Sequence, residues 1–211
     1  MVGTEPEQTH PLLRDYAEVP QRLIDTTIDA IDAGGEVSVR VQDIVANAGV
    51  QITVLYRNFG SREGLVQAAQ AARLRRDMDA ELLRFSAAFD MVDSAEQFRD
   101  LVDALLDGVT SPDRRLLRLK RVNVIGSTYG RPDLAAAVSQ LQQNTVTRIA
   151  DVFRPAQHRG WIRPELDLDA FAAWFAGQAL GRVILELGDT DIDQVAFDAL
   201  AADAVRHLLF G

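Results

Sequence analysis

Apolar residues along this chain recur every three or four positions and almost nowhere alternate, which confines it to helices packed on helices. Leu23, Thr27, Ala30 and Ile31 share one face of a first helix, which Gly34-Gly35 ends. Val41, Ile44, Val45 and Ala48 repeat the i, i+3, i+4, i+7 spacing and predict a second helix from about residue 40, stopped by Gly49. Residues 36–42, EVSVRVQ, alternate apolar and polar, so a short strand stays open there. A third helix is predicted over 51–58, with Leu55 and Phe59 as its inward pair. Ser61 suits the N-cap of a long fourth helix reaching to about Phe89. Further helices are predicted over 95–109, 113–126, 132–153, from Asp167 or Asp169 to Leu187, and over 191–209. Pro155, Gly160 and Pro164 mark a broken connection between the third and fourth of these. The predicted fold is all-α with about nine helices and no internal repeat.

Composition narrows the chemistry. The 211 residues include no cysteine, which removes disulfides, thiolate metal sites and cysteine nucleophiles. The start of the chain lacks a basic segment followed by an apolar run, and no apolar stretch approaches the ~20 residues that span a bilayer. A cytoplasmic protein without membrane contact is therefore expected. Net charge is −9, yet residues 37–76 carry six arginines against Asp43 and Glu63, a local +4 on an otherwise acidic body. Such a distribution repels nucleic acid everywhere except at one patch.

That patch coincides with two short helices joined by Ala48-Gly49-Val50, a helix-turn-helix in which the second helix can enter a major groove. Gln51 and Thr53 are candidate base readers, since glutamine pairs with adenine and threonine offers a hydroxyl and a methyl. Ile52 adds an apolar contact for thymine methyls, and Gln42 is a candidate reader from the preceding helix. Arg40, Arg57 and Arg62 are the nearby cations for phosphates, although surface arginines ordinarily only solvate a helix. Asn58 completes the polar set.

The stretch VQDIVANAGVQITVLYRNFGSREGLVQA resembles the DNA-binding domain of TetR-type transcriptional repressors, whose pattern is close to D-I-A-x-x-A-G-V-S-x-x-T-L-Y-x-H-F-x-S-K-E-x-L. Asp43, Ile44, Ala48, Gly49, Val50, Leu55, Tyr56, Phe59, Ser61, Glu63 and Leu65 match, with Arg62 for the usual lysine. The departures lie at the reading head: Gln51 for serine, Val54 for threonine, Asn58 for histidine, and Arg40 where a Ser/Thr cap is usual. The resemblance implies that Tyr56 touches a phosphate. Residues 1–17, with Pro6, Pro11 and few apolar anchors, are expected to be a flexible arm, and the resemblance implies a helix-turn-helix domain over 18–66 and a ligand-binding and dimerisation domain over 67–211.

Downstream features fit that division. Ala173, Gly177 and Gly181 form a row of small residues on one helix, and Ala196, Ala199 and Ala202 offer a partner surface on the last. Both sets are candidates for a homodimer interface, with ordinary intrachain packing as the alternative. Phe98, Asn123, Tyr129, Trp174 and Gln178 are candidates for an effector pocket, and aromatics at such spacing otherwise form core. No catalytic motif is present: His10, His158 and His207 lie far apart, and no phosphate-binding glycine loop, metal motif or serine elbow occurs. The expectation is a non-enzymatic regulator, without metal or cofactor, that binds a double-stranded DNA operator as a homodimer and is released by a small-molecule effector. A ligand-binding or protein-interaction module with lost DNA specificity, and a small all-α enzyme, remain the rival readings.

Overall fold

The computed structural model describes residues 9–188 and 191–211, which form nine α-helices with no strand among them. They are α1 Glu18–Gly34, α2 Val41–Asn47, α3 Ile52–Phe59, α4 Arg62–Phe89, α5 Ala95–Thr110, α6 Arg115–Gly126, α7 Pro132–His158, α8 Leu168–Gly181 and α9 Gln194–Phe210. The expected all-α architecture is thus the observed one. The chain divides into two compact units, one running to Arg76 and including Val124–Leu141, the other comprising Asp77–Asn123 and Gln142–Gly211.

The first unit is built around α1–α3 and the start of α4. Leu23, Ile24, Ile28 and Ile31 of α1 are buried with Ile44 and Val45 of α2, Leu55 of α3, and Leu65, Val66 and Ala69 of α4. The alternating segment before α2 is not a strand. Glu36–Ser38 form a single 3-10 turn, in which Ser38 donates its hydroxyl to Ala30 O at 2.6 Å, and Val39 alone turns fully inward. Of the predicted N-terminal arm, residues 1–8 lie outside the described residues. Pro11–Leu13 make a 3-10 turn whose Leu13 is buried, Arg75 donates to the Leu13 carbonyl at 2.6 Å, and Tyr16 packs its ring 5.5 Å from Phe59.

The second unit has an aromatic core. Phe98, Val102 and Leu106, one turn apart on α5, meet Ala150 and Phe153 of α7, Phe171 and Ala172 of α8, and Val205 and Leu209 of α9. Phe153 lies edge-on to both Phe98 and Phe171, at 6.1 and 5.6 Å, a favourable geometry for aromatic quadrupoles. Two predicted helix ends differ here. α7 continues past 153 and through Pro155 to His158. The proline costs one hydrogen bond near the helix end, and burial of Ala156 together with Phe153 holds the last turn in place. α8 stops at Gly181 and tightens into a 3-10 helix over Arg182–Glu186. The three-residue repeat turns Arg182 and Leu185, and likewise Val183 and Glu186, inward together. Arg182 there pairs with Asp198 at 2.6 Å, and Glu186 with Arg118, so these buried charges are compensated.

Candidate nucleic-acid interface and ligand cavity

The turn between α2 and α3 follows from one glycine. Gly49 sits at φ +65°, in the left-handed region that other residues enter only with strain. It closes a Schellman cap in which Val50 N donates to Val45 O at 3.0 Å and Gly49 N to Ala46 O at 3.1 Å. Leu55 is wholly buried while Ile52, Val54 and Phe59 pack against the same core, so α3 is fixed in rotation. Its opposite face carries Thr53, Tyr56 and Arg57, all exposed, at the i, i+3, i+4 spacing of a single helix face. Gln51 precedes them, exposed, at the N-cap position.

Neither helix of the pair is capped by a side chain. Arg40 stands at the N-cap of α2 and Gln51 at that of α3, both extended and without a side-chain cap bond. Arg40 and Gln42 are both exposed at the entry to α2. The six arginines between 37 and 76 divide sharply. Arg73 pairs with Asp32, Arg75 with Asp15 at 3.3 Å, and Arg76 with Asp25. Arg62 donates through Nε to Val39 O at 2.8 Å and through Nη2 to Glu36 O. It therefore braces the turn ahead of α2, whereas the sequence suggested a cation pointing at phosphate. Asn58 also turns back, donating to Val54 O at 2.8 Å. Arg40 and Arg57 are the two of the six without a hydrogen bond or ion pair among the described residues, Arg57 on the exposed α3 face and Arg40 at the N-cap of α2.

Sequence reading missed the residues that hold this turn from the other side. The Glu36 carboxylate accepts from both terminal nitrogens of Arg131, at 2.9 and 2.7 Å, from Gln70 at 2.7 Å and from Ser127 at 2.8 Å. Arg131 also pairs with Glu63 of α4 at 2.7 Å. The hydrogen bonds from Arg131 outweigh partial desolvation, and with Gln70 and Ser127 they hold the Glu36 carboxyl at about 2, well below its ordinary 4.5. Glu36 and Arg131 are separated by 95 positions, so no local pattern announces the pair. Gly64 is a second omission. A Cβ there would stand 2.1 Å from the Phe59 carbonyl oxygen, so only glycine lets the end of α3 approach the first turn of α4 this closely. Ser61 caps that turn, accepting from Gly64 N at 2.9 Å.

In the second unit, the five residues expected to line an effector pocket do not surround one space. Phe98 is aromatic core, 1% exposed. Trp174 lies half-buried beside Phe171, Gln178 borders a cleft between α5, α8 and α9, and Asn123 is exposed. Tyr129 belongs to the first unit and is 95% exposed. A different cavity of about 240 Å³ opens among α4, α5, α6, α7 and α8, walled chiefly by apolar side chains and bordered by Glu81, Arg114 and Arg121. The paired arginines lie seven positions apart near and on α6, a helical spacing that was the available sequence signal. The predicted interface residues Ala173, Gly177, Ala196 and Ala199 are exposed, and Gly181 and Ala202 half-buried. A side chain added at Gly177 or Gly181 would meet nothing within 4 Å. Among the described residues no cluster of His, Cys, Asp or Glu is arranged to hold a metal, and no helix is long and apolar enough to cross a membrane.

Residues 23–69 match the model of the bacterial regulatory proteins of the tetR family. No curated protein matches the sequence. Solved structures share the fold along nearly the whole chain. A transcriptional regulator from Rhodococcus sp. assigned to the TetR family is 23% identical, with a TM-score of 0.65 over 92% of this chain and 100% of that one. A transcriptional regulator from Saccharomonospora viridis, crystallised with choline, is 20% identical, with a TM-score of 0.63 over 92% and 98%. The regulator FadR from Bacillus subtilis, crystallised with stearoyl-CoA, is 15% identical, with a TM-score of 0.58 over 88% and 96%. Residues 23–69 thus carry the helix-turn-helix domain of the tetR family of bacterial regulatory proteins, and the chain as a whole shares the fold of these solved regulators.

Proposed function

We propose that this protein is a transcriptional repressor that binds a palindromic operator as a homodimer and is released by a small-molecule effector. The observation that carries the reading is the exposed face of α3. There Gln51 and Thr53 are free to read bases, and Tyr56 and Arg57 to hold phosphates, on a helix whose other face is locked into the core. Arg40 and Gln42 extend that face from α2. Residues 18–66 then carry DNA recognition, and residues 67–211 carry effector binding and dimerisation.

Two-fold binding requires two heads about 34–36 Å apart, or a multiple of that, to enter successive major grooves. The apolar surface of the last two helices supports a pairing of chains. Besides the small residues, Ile184 and Leu187 in and after the 3-10 helix that follows α8, and Val195 and Leu200 on α9, are each at least 70% exposed, and exposed apolar groups of this kind suit an interface. An effector acts by binding one head spacing more tightly than another, and lowers operator affinity by that difference. Choline in the Saccharomonospora protein and stearoyl-CoA in the Bacillus one are ligands carried on this fold, which supports an effector role for the cavity here.

Selection of bound fragments from random DNA tests the reading. The expected product is a two-fold symmetric site with half-sites about one helical turn apart. Replacing Arg57 by alanine removes one phosphate contact per head, so the slope of log affinity against log salt falls by about 2 for the dimer. Failure to enrich any sequence at low salt would sink the proposal and favour a ligand-binding module that does not read DNA.

A further inference from the structure

The cavity among α4–α8 has an unbalanced wall. Its sides are Phe85 of α4, Leu105 of α5, Ile149 of α7 and Phe175 and Leu180 of α8. At one border Glu81 is the sole carboxylate, and it serves two guanidiniums. Arg114 Nη1 donates to one of its oxygens at 2.8 Å, and Arg121 Nη2 to the other. Both lone carboxylate oxygens are thus engaged, while each arginine retains further donors. Arg121 Nε is buried and has no hydrogen-bond partner among the described residues. The third arginine at the border, Arg84, bonds among the described residues only the carbonyl of Ala80 in its own helix, at 3.2 Å. The trio Glu81, Arg114 and Arg121 therefore carries a net positive charge beside an apolar space, and an under-satisfied buried guanidinium is costly unless an anion completes it.

We infer that this cavity binds an amphipathic monoanion, a medium-length apolar body ending in a single carboxylate, with the carboxylate held by Arg121 and Arg114. The volume of about 240 Å³ admits about eight water- or methylene-sized groups at ~30 Å³ each, with the carboxylate seated at the arginine border. That suits an acid of about ten carbons and excludes a nucleotide-bearing thioester from full enclosure. Arg is the cation suited to this task, because its planar fork meets a carboxylate with two parallel N–H bonds and remains charged at every physiological pH. The inference deepens the effector reading of the C-terminal unit and rests on that reading only for its regulatory consequence.

Calorimetric titration of the full chain with decanoate, decan-1-ol and decyltrimethylammonium, each below its micelle concentration, isolates the charge. Decanoate is expected to bind at least ten-fold more tightly than the alcohol, and the ammonium least of all. In Arg121→Gln decanoate loses at least ten-fold while the alcohol is unchanged. In Glu81→Gln decanoate gains, because both arginines lose their internal competitor. Equal affinity for decanoate and decanol, preference for the ammonium, or no decanoate binding by the unmodified chain would overturn the ligand class without recourse to any variant. Adding decanoate to the operator complex separates this from the regulatory reading. Binding in the expected order with operator affinity unchanged leaves the ligand class standing and removes the effector role. Operator binding with no charge preference among the three probes does the reverse.

Discussion

At the scale of single residues, Arg40 is where the fold and the proposed recognition of DNA make opposite demands. At the N-cap of α2 a Ser or Thr would accept a backbone N–H bond, but Arg40 makes none and leaves its charge exposed. Substituting Arg40→Thr is expected to raise unfolding free energy by ~0.5–1 kcal/mol, in line with ordinary cap energetics. The same change should weaken operator binding and reduce its salt slope, because a phosphate contact is lost from each head. Chemical denaturation and salt-titrated DNA binding measured on one preparation check both signs. A variant that binds DNA as well as the unmodified protein would show that Arg40 only solvates its helix. Gly64 lies at the other extreme, with no polar group and a purely steric task. Gly64→Ala forces Phe59 O and α4 apart and should cost about 1–3 kcal/mol in the first unit, read as a lowered denaturation midpoint. An unchanged midpoint would mean that α3 and α4 can separate without penalty.

Among the elements, the turn Glu36–Ser38 is held from two directions. Arg62 grips its carbonyls, while Arg131, at the start of α7, grips the Glu36 carboxylate. Because that carboxyl lies at about 2 in the folded chain against an ordinary 4.5, its contribution to stability is fully present above about pH 4.5 and is lost as pH falls toward 2. Thermal unfolding of the first unit followed between pH 5 and 2 should therefore fall more steeply in the unmodified protein than in Glu36→Gln. Parallel curves would remove Glu36 from the acid response. The elements themselves were largely readable from sequence. Leu55 and Phe59 one turn apart, Ser61 as a cap and an uninterrupted run to Phe89 all announced α3 and α4. The misread ends, at Pro155 and after Gly181, lie where burial of Ala156, or pairing of Arg182 with Asp198 and of Glu186 with Arg118, overrode a local signal.

For the whole molecule, the proposed mechanism depends on two copies acting together, and the exposed face of α8 and α9 is where that is tested. Leu200, 70% exposed, lies one turn from Ala196 on α9. In the proposed dimer, Leu200→Glu places a charge in an apolar interface and is expected to shift the protein to monomer in sedimentation equilibrium. Affinity for a two-fold operator should fall at least a hundred-fold, while the helical spectrum stays unchanged. A variant that still sediments as a dimer would move the interface elsewhere. The acidic body belongs to the same scale. With net −9 on the chain, binding away from the reading head is opposed by charge, and non-specific affinity is expected to be weak.

Helical periodicity, the glycine turn and the match around residues 43–65 sufficed to determine the all-α fold and the position of the helix-turn-helix, because both depend on neighbours within a few turns of chain. Which arginines the fold leaves unpaired, which residues brace the turn before α2 and where the apolar cavity lies were decided only by the tertiary structure. Each depends on partners tens of residues apart: Arg62 on Val39, Glu36 on Arg131, Glu81 on Arg114 and Arg121. Side-chain pairing across such separations leaves no period in the sequence, and a charge counted there as a binding group can equally be one that the fold has already neutralised.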